Sequence, residues 1–179
     1  APGTRLLDLG EASTSLELEL ILGTGALSAA GERVIGSTGN GDHFKLVRAT
    51  SSGSEILGDF AGSYPSRAHI NPDASAVVGH ALDVNGPRER AYRWTEQGGF
   101  AFDLPGAPAG EELLPEALSA DGSVVVGRAL GSRAHFRWTE ADGYVEVAPA
   151  SWLSETRSSA DGSVLAGSLD PEGIEDSSV

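Results

Sequence analysis

A chain of 179 residues with 26 acidic and 12 basic side chains carries a formal net charge of −14 and a pI near 4.5. That field repels phosphate backbones and anionic surfaces, so no nucleic-acid partner is expected. The apolar runs, such as 18–22, fall far short of the ~20 residues that span a bilayer, and with no Cys there is neither a disulfide nor a thiolate metal ligand.

The chain opens on Ala1-Pro2-Gly3 without Met, which suits a mature chain whose signal peptide has been removed, and export is expected. Twenty-four Gly and nine Pro indicate a turn-rich fold. Leu7-Asp8-Leu9 reads as a short strand within 4–9, and 13–22 as an irregular connection. A nine-residue stretch then recurs four times: Ser28 to Gly36 (SAAGERVIG), Asn71 to Gly79 (NPDASAVVG), Ser119 to Gly127 (SADGSVVVG) and Ser159 to Gly167 (SADGSVLAG). The copies start 43, 48 and 40 residues apart, a period that belongs to architectures building one small sheet per repeat.

Copy one is read with strand c over His43 to Val47 and strand d over Glu55 to Leu57, joined at Ser52-Gly53. In copy two, strand c spans Ala91 to Thr95, Gln97-Gly98-Gly99 turns, and Phe100 to Leu104 is strand d. Between copies two and three, 109–118 (AGEELLPEAL) has the only helical pattern, one turn at most before Pro115. Copy three is the cleanest: Glu116 to Ala120, an Asp121-Gly122 turn, and Ser123 to Arg128 form strands a and b of a hairpin. Ala134 to Thr139 then forms strand c, and Tyr144 to Val147 strand d after a second turn. Copy four shows a and b only.

Four strands per unit predict an all-β fold, a β-propeller of four-stranded antiparallel blades. The whole chain, 1–179, is read as one repeat domain with blades over about 23–60, 66–105, 113–148 and 154–179, the last completed by the strand at 4–9. That count gives four blades if the chain is complete, and part of a larger propeller otherwise. Alternation places Trp94 and Trp138 on one face of strand c, between blades, and Arg93 and Arg137 on the other, facing carboxylates such as Glu96 and Glu140. Gly36, Gly79, Gly127 and Gly167 end strand b in every copy, as expected where a ring or backbone approaches closely.

The stretches Arg133-Ala134-His135-Phe136-Arg137-Trp138-Thr139 and Arg90-Ala91-Tyr92-Arg93-Trp94-Thr95, with the four nonamers, resemble the extracellular HAF-repeat family of bacteria. Copy one departs from that pattern, with Lys45-Leu46-Val47 where Arg-Trp-Thr is expected. The resemblance implies a secreted or cell-surface bacterial propeller and supplies no catalytic residues.

Nothing in the sequence has the spacing of a catalytic or metal motif. His43 and His135 are read as sharing one repeat position, and His69 and His80 as meeting across the a–b hairpin of copy two. The turn aspartates Asp73, Asp121 and Asp161, and 170–173, raise Ca²⁺ as a candidate, but they lack the alternating ligand spacing of a calcium loop, so no cofactor is expected. Asp121 and Asp161 are read as turn residues of the repeat. The segments that break the repeat are 82–90, 105–116 and 13–22, and loops that differ between similar units are where binding sites sit. Asp83, Asn85, Arg88 and Trp152 are therefore the candidate binding residues. The expected function is a non-enzymatic binding or structural scaffold at the cell surface, with protein or glycan as partner. The alternatives are a subunit that assembles with itself by exchanging terminal strands, or a carbohydrate-active enzyme with carboxylates in the central channel.

Overall fold

The computed structural model describes residues 18–19, 27–40, 43–86, 88–148 and 153–169. Its first sheet is β1 (Leu18–Glu19), β2 (Val34–Asn40), β3 (His43–Thr50) and β4 (Gly53–Asp59). The second is β5 (Ser63–Ile70), β6 (Ala76–Asp83), β7 (Glu89–Thr95) and β8 (Gly99–Phe102). The third is β9 (Leu113–Leu118), β10 (Val124–Ala129), β11 (His135–Thr139) and β12 (Gly143–Ala148), and a fourth begins with β13 (Leu153–Ser158) and β14 (Leu165–Leu169). All pairings are antiparallel between chain neighbours. The described residues include no helix long and apolar enough to cross a membrane.

The nonamer builds its own turn. Ser119 Oγ accepts the Val124 N–H at 2.9 Å and donates to Asp121 Oδ1, which also takes the Ser123 N–H. Ser159, Asp161, Ser163 and Val164 repeat those bonds. In the second copy the Asn71 amide oxygen replaces the serine hydroxyl, accepting from the Ala76 N–H at 2.9 Å. The fourth residue sits at positive φ in every copy: Gly31, Gly122 and Gly162 between 67° and 72°, and Ala74 at 55°.

Successive sheets are joined by contacts of three kinds. Turn to turn, the Ala29 N–H donates to the Pro72 carbonyl (2.7 Å) and the Ala120 N–H to that of Ala160 (2.6 Å). Pro72 has no N–H to pass on, and the Asn71 side-chain amide reaches the Ala120 carbonyl instead, at 3.2 Å. The turns of copies three and four also cap an apolar residue of the sheet before them: a methyl group on Gly122 would come within 2.4 Å of Ala76, and one on Gly162 within 2.7 Å of Val124. Further out, the Arg48 guanidinium lies 5.0 Å over the Trp94 ring and that of Arg93 lies 5.1 Å over Trp138. One buried cluster, with Ile35, Leu46, Phe60, Tyr92 and Trp94, fills the seam between sheets one and two; another, with Val78, Leu104, Val125, Phe136 and Trp138, fills the next. The first strand β9 touches both β5 and β13, which makes these the inner strands of the arc.

At the two ends these contacts lapse. Val164, the counterpart of Ala76 (2% exposed) and Val124 (4%), is 60% exposed, and a methyl group on Gly31 would meet nothing. The strand expected over 4–9, its pairing with the last unit, Trp152 and the turn at 170–173 lie outside the described residues.

The structure corrects several readings. The segment 109–118 contributes no helical turn: Leu113–Leu118 is the inner strand β9, and Pro115 fits because the register slips there, between Val126 and Gly127. Leu18–Glu19 pairs with Thr38 and Ser37 as the inner strand of the first sheet, inside the stretch read as a connection. Strand c of copy one runs on to Thr50, and Gly36 pairs with Val47 as Gly79 does with Tyr92 and Gly127 with Phe136. Val47-Arg48-Ala49-Thr50, not Lys45-Leu46-Val47, therefore occupies the Tyr-Arg-Trp-Thr position, with Ala49 where the other copies have Trp. In that register His43 and His135 are not equivalent, because His135 pairs with Arg128 in strand b and His43 with Asn40.

Candidate functional site

Two of the segments that break the repeat come together. Arg88, Glu89 and Ala91, leading into and along β7, form one wall of a cleft; Asp103 to Leu104, Gly106 to Pro108, Gly110, Glu111 and Leu113 form the other, with about 190 Å³ between them. The second wall is the link from sheet two to sheet three, bent by positive φ at Asp103 (63°), Gly106 (84°) and Gly110 (81°). It is pinned from three sides. The Asp103 N–H donates to the Ala91 carbonyl, the Trp138 indole N–H to the Pro105 carbonyl at 2.9 Å, and Glu111 Oε1 accepts the Gly131 N–H.

Of the sequence candidates, Arg88 lines this cleft and is exposed. Asp83 and Asn85 belong to the same loop but hold its turn, Asp83 Oδ1 accepting the Asn85 N–H at 2.8 Å and the Asp83 N–H reaching the Arg88 carbonyl. Glu89, Asp103 and Glu111 were missed. They sit in strand ends and connections with no motif of their own; the departure of 82–90 and 105–116 from the repeat pointed to Glu89 and Glu111, and nothing pointed to Asp103.

The cleft backs onto a polar seam. Val78 packs toward the third sheet, and His69 pairs with Val78 across β5 and β6 while Arg67 pairs with His80, so Arg67, His69 and His80 share that face. His69 (8% exposed) and His80 (6%) are thus neighbours within one face. Burial pushes each imidazole down to about 4, helped for His69 by Arg67 and Arg157 and for His80 by Arg67, His69 and Arg128. Both rings are neutral at physiological pH. His80 Nε2 stands 3.5 Å from Glu89 Oε2, but a neutral ring makes no ion pair, and neither His80 Nδ1, His69 Nε2 nor Glu89 Oε2 has a hydrogen-bond partner among the described residues. Burial, and then Glu112, raise the Glu89 carboxyl above its usual range. The neighbouring seam has its polar groups satisfied: Glu116 accepts from Arg128 Nε (2.5 Å) and the Thr156 N–H (3.0 Å), while Thr156 Oγ1 meets His135 Nδ1 at 3.2 Å.

The repeat residues serve the frame. A methyl group on Gly79 would come 1.9 Å from the Arg67 carbonyl oxygen and 2.6 Å from the Tyr92 hydroxyl, and one on Gly127 2.0 Å from the Leu114 carbonyl oxygen. Gly36 and Gly167 occupy the same place in β2 and β14, paired with Val47 and Thr156. Trp94 and Trp138 are buried in the two seams. Arg48, not one of the arginines expected to do so, reaches a carboxylate of the next sheet, Glu96 at 2.7 Å; Arg93 stacks on Trp138, and Arg137 turns back to Asp142 at 3.4 Å in its own hairpin. Asp121 and Asp161 spend their oxygens on serine hydroxyls and turn amides, which hold both carboxyls down to about 2. Among the described residues no group of three His, Cys, Asp or Glu could hold a metal ion.

Four-stranded antiparallel sheets in chain order, packed face to face with their first strands innermost, are the blades of one architecture. The fold is a β-propeller. Among solved structures the chain is similar to TolB from Acinetobacter baumannii, at 20% identity and a TM-score of 0.51, covering 79% of this chain and 36% of that one. It also matches the Cps50 (Swd1) β-propeller domain of Myceliophteria thermophila at 13% identity and a TM-score of 0.38, over 83% of this chain and 49% of that one. The chain thus spans about a third to a half of the propellers it matches. No family model and no curated protein matches it.

Proposed function

We propose that this propeller is a non-enzymatic binding scaffold, secreted or at the bacterial cell surface, and that it binds protein or glycan through the cleft between its second and third blades. One observation carries the reading: 82–90 and 105–116, the segments that depart from the repeat, each contribute to a wall of one cleft, whereas most repeated residues are used up in holding blades together. An enzymatic reading has less support, since among the described side chains the inner-strand carboxylate Glu116 is already bonded to Arg128 and to the Thr156 amide. The test is a peptide and glycan array probed with the chain and with Arg88→Glu/Pro108→Glu, which changes one exposed residue on each wall of the cleft. Ligands lost by a variant that stays folded support the assignment; ligands retained in full refute it.

A second reading, self-assembly, is favoured by the exposed apolar Val164 on one face of the arc and the open space beside Gly31 on the opposite face. Sedimentation over a range of concentrations tests it: association abolished by Val164→Glu supports assembly through this face, and a monomer throughout refutes it.

A further inference from the structure

We propose that Asn85 is a covalent modification site, at which the Gly86 backbone nitrogen closes onto the side-chain amide and the asparagine becomes isoaspartate or aspartate. The site stands whether or not the cleft binds a ligand, because Asn85 lies in the loop that carries Arg88 and does not line the cleft itself.

Two of the three asparagines precede a glycine, Asn40 and Asn85, so the sequence offers two such sites, and the structure separates them. The Asn40 backbone is held in β2, paired with His43. Asn85 and Gly86 are both exposed in the loop after β6, and a methyl group on Gly86 would meet nothing within 4 Å, so the approach beside the attacking nitrogen is open. The Asn85 side-chain amide has no hydrogen-bond partner among the described residues; only the backbone N–H of Asn85 is bonded, to Asp83 Oδ1. The Gly86 N–H is held by one bond, to the Asp83 carbonyl, which is long at 3.3 Å. Exposed loops of this kind open at almost no cost in free energy, which lets the nitrogen reach the side chain. Asn71 is the opposite case. It is 2% exposed, its Nδ2 donates to Ser75 Oγ and the Ala120 carbonyl, its Oδ1 accepts the Ala76 N–H, and the nitrogen of Pro72 after it carries no proton to lose.

Water is the only co-reactant. The Gly86 nitrogen gives its proton to water and bonds to Asn85 Cγ, the Cγ–Nδ2 bond breaks, and ammonia leaves after taking a proton from water. A water molecule then opens the cyclic imide. Attack at Cγ gives aspartate; attack at the backbone carbonyl carbon gives isoaspartate, in which the main chain runs through Cβ and Cγ. Either product adds a negative charge three residues before Arg88. Isoaspartate also adds a methylene to the main chain inside the turn that Asp83 holds through the Asn85 and Gly86 N–H groups. Because the Asp83 N–H donates to the Arg88 carbonyl at 2.9 Å, the change is passed on to the cleft wall at Arg88.

The test is incubation of the folded chain at mildly alkaline pH, followed by peptide mapping for the amide-to-acid mass change and by enzymatic methylation of isoaspartate, with a urea-unfolded sample alongside. The expected result is conversion at Asn85 at least about tenfold faster than at Asn40 or Asn71 in the folded chain, with Asn40 and Asn85 converting alike once unfolded. Gly86→Val, which crowds the attacking nitrogen where a side chain has room, should slow conversion at Asn85 and leave Asn40 as it was. Equal rates at Asn40 and Asn85 in the folded chain, or conversion at Asn85 undiminished in folded Gly86→Val, overturns the site. Amide spectra of the aged chain should show Asp83 and Arg88 displaced, and further than in Asn85→Asp, which has the charge without the added methylene; an Arg88 signal unmoved by full conversion overturns the link to the cleft wall. None of these readouts depends on a ligand, so a failure here and a failure of the array are told apart.

Discussion

Lowering the pH should open the seam between the second and third blades before anything else in the molecule fails. His69 and His80 are held neutral there, each at about 4 instead of 6.5. As pH falls below 6.5 the unfolded chain takes up protons on both rings while the native state does not, so stability falls with pH through this window. Below about 4 the native rings are charged too and the loss is complete; above 6.5 neither ring contributes. A difference of 2.5 units is on the order of 3 kcal/mol per ring, with a slope of up to about 1.4 kcal/mol per pH unit each. Two such rings threaten a domain whose total stability is ordinarily about 5–15 kcal/mol. Glu89, raised by burial, works the other way: it protonates earlier in the native state and returns some stability as the pH drops. Asp121 and Asp161, held down to about 2, cost stability only below about pH 4, outside the window. Urea midpoints measured every half unit from pH 7 to 4 should therefore show a steep decline in the native protein and a clearly shallower one in His69→Gln/His80→Gln, whatever that variant's stability at pH 7. An unchanged slope in the double variant would refute the reasoning that burial in this seam keeps the rings neutral.

Trp138→Ala empties a seam position that Arg93 also covers, and should cost about 3–5 kcal/mol, read as a fall in melting temperature. Gly79→Ala drives a methyl group into the Arg67 carbonyl oxygen and should destabilise by several kcal/mol, whereas Gly86→Ala, with open space around it and no positive φ, should leave the urea midpoint nearly unchanged. Equal effects at the two glycines would contradict the close-approach account of Gly79. Val124→Ser should cost about 1–3 kcal/mol and Val164→Ser less than about 0.5 kcal/mol, since the first is capped by the Gly162 turn and the second is exposed; similar losses would show that the fourth blade's face is covered in solution.

The turn of each nonamer was legible in the chain because its bonds are local: Ser119 reaches Asp121 and Val124, Ser159 reaches Asp161 and Val164, and a glycine supplies the positive φ between them. The period of those turns implied one sheet per unit, and the loops that broke the period marked one wall of the cleft at Arg88 and the other at 105–116. Register was not legible where the marker residue was missing. With Ala49 in place of the tryptophan, only the cross-strand pairing of Gly36 with Val47 shows that Arg48 is the repeat's arginine. Pro115 was legible only as the end of a possible helical turn; that it lies inside an inner strand, beside a register slip between Val126 and Gly127, shows only in the pairing. The unanswered oxygen of Glu89 and the neutral rings of His69 and His80 belong to the tertiary structure alone. Their chemistry is set by how much water and which charges a neighbouring blade leaves within reach, and that neighbour is about fifty residues away in the chain.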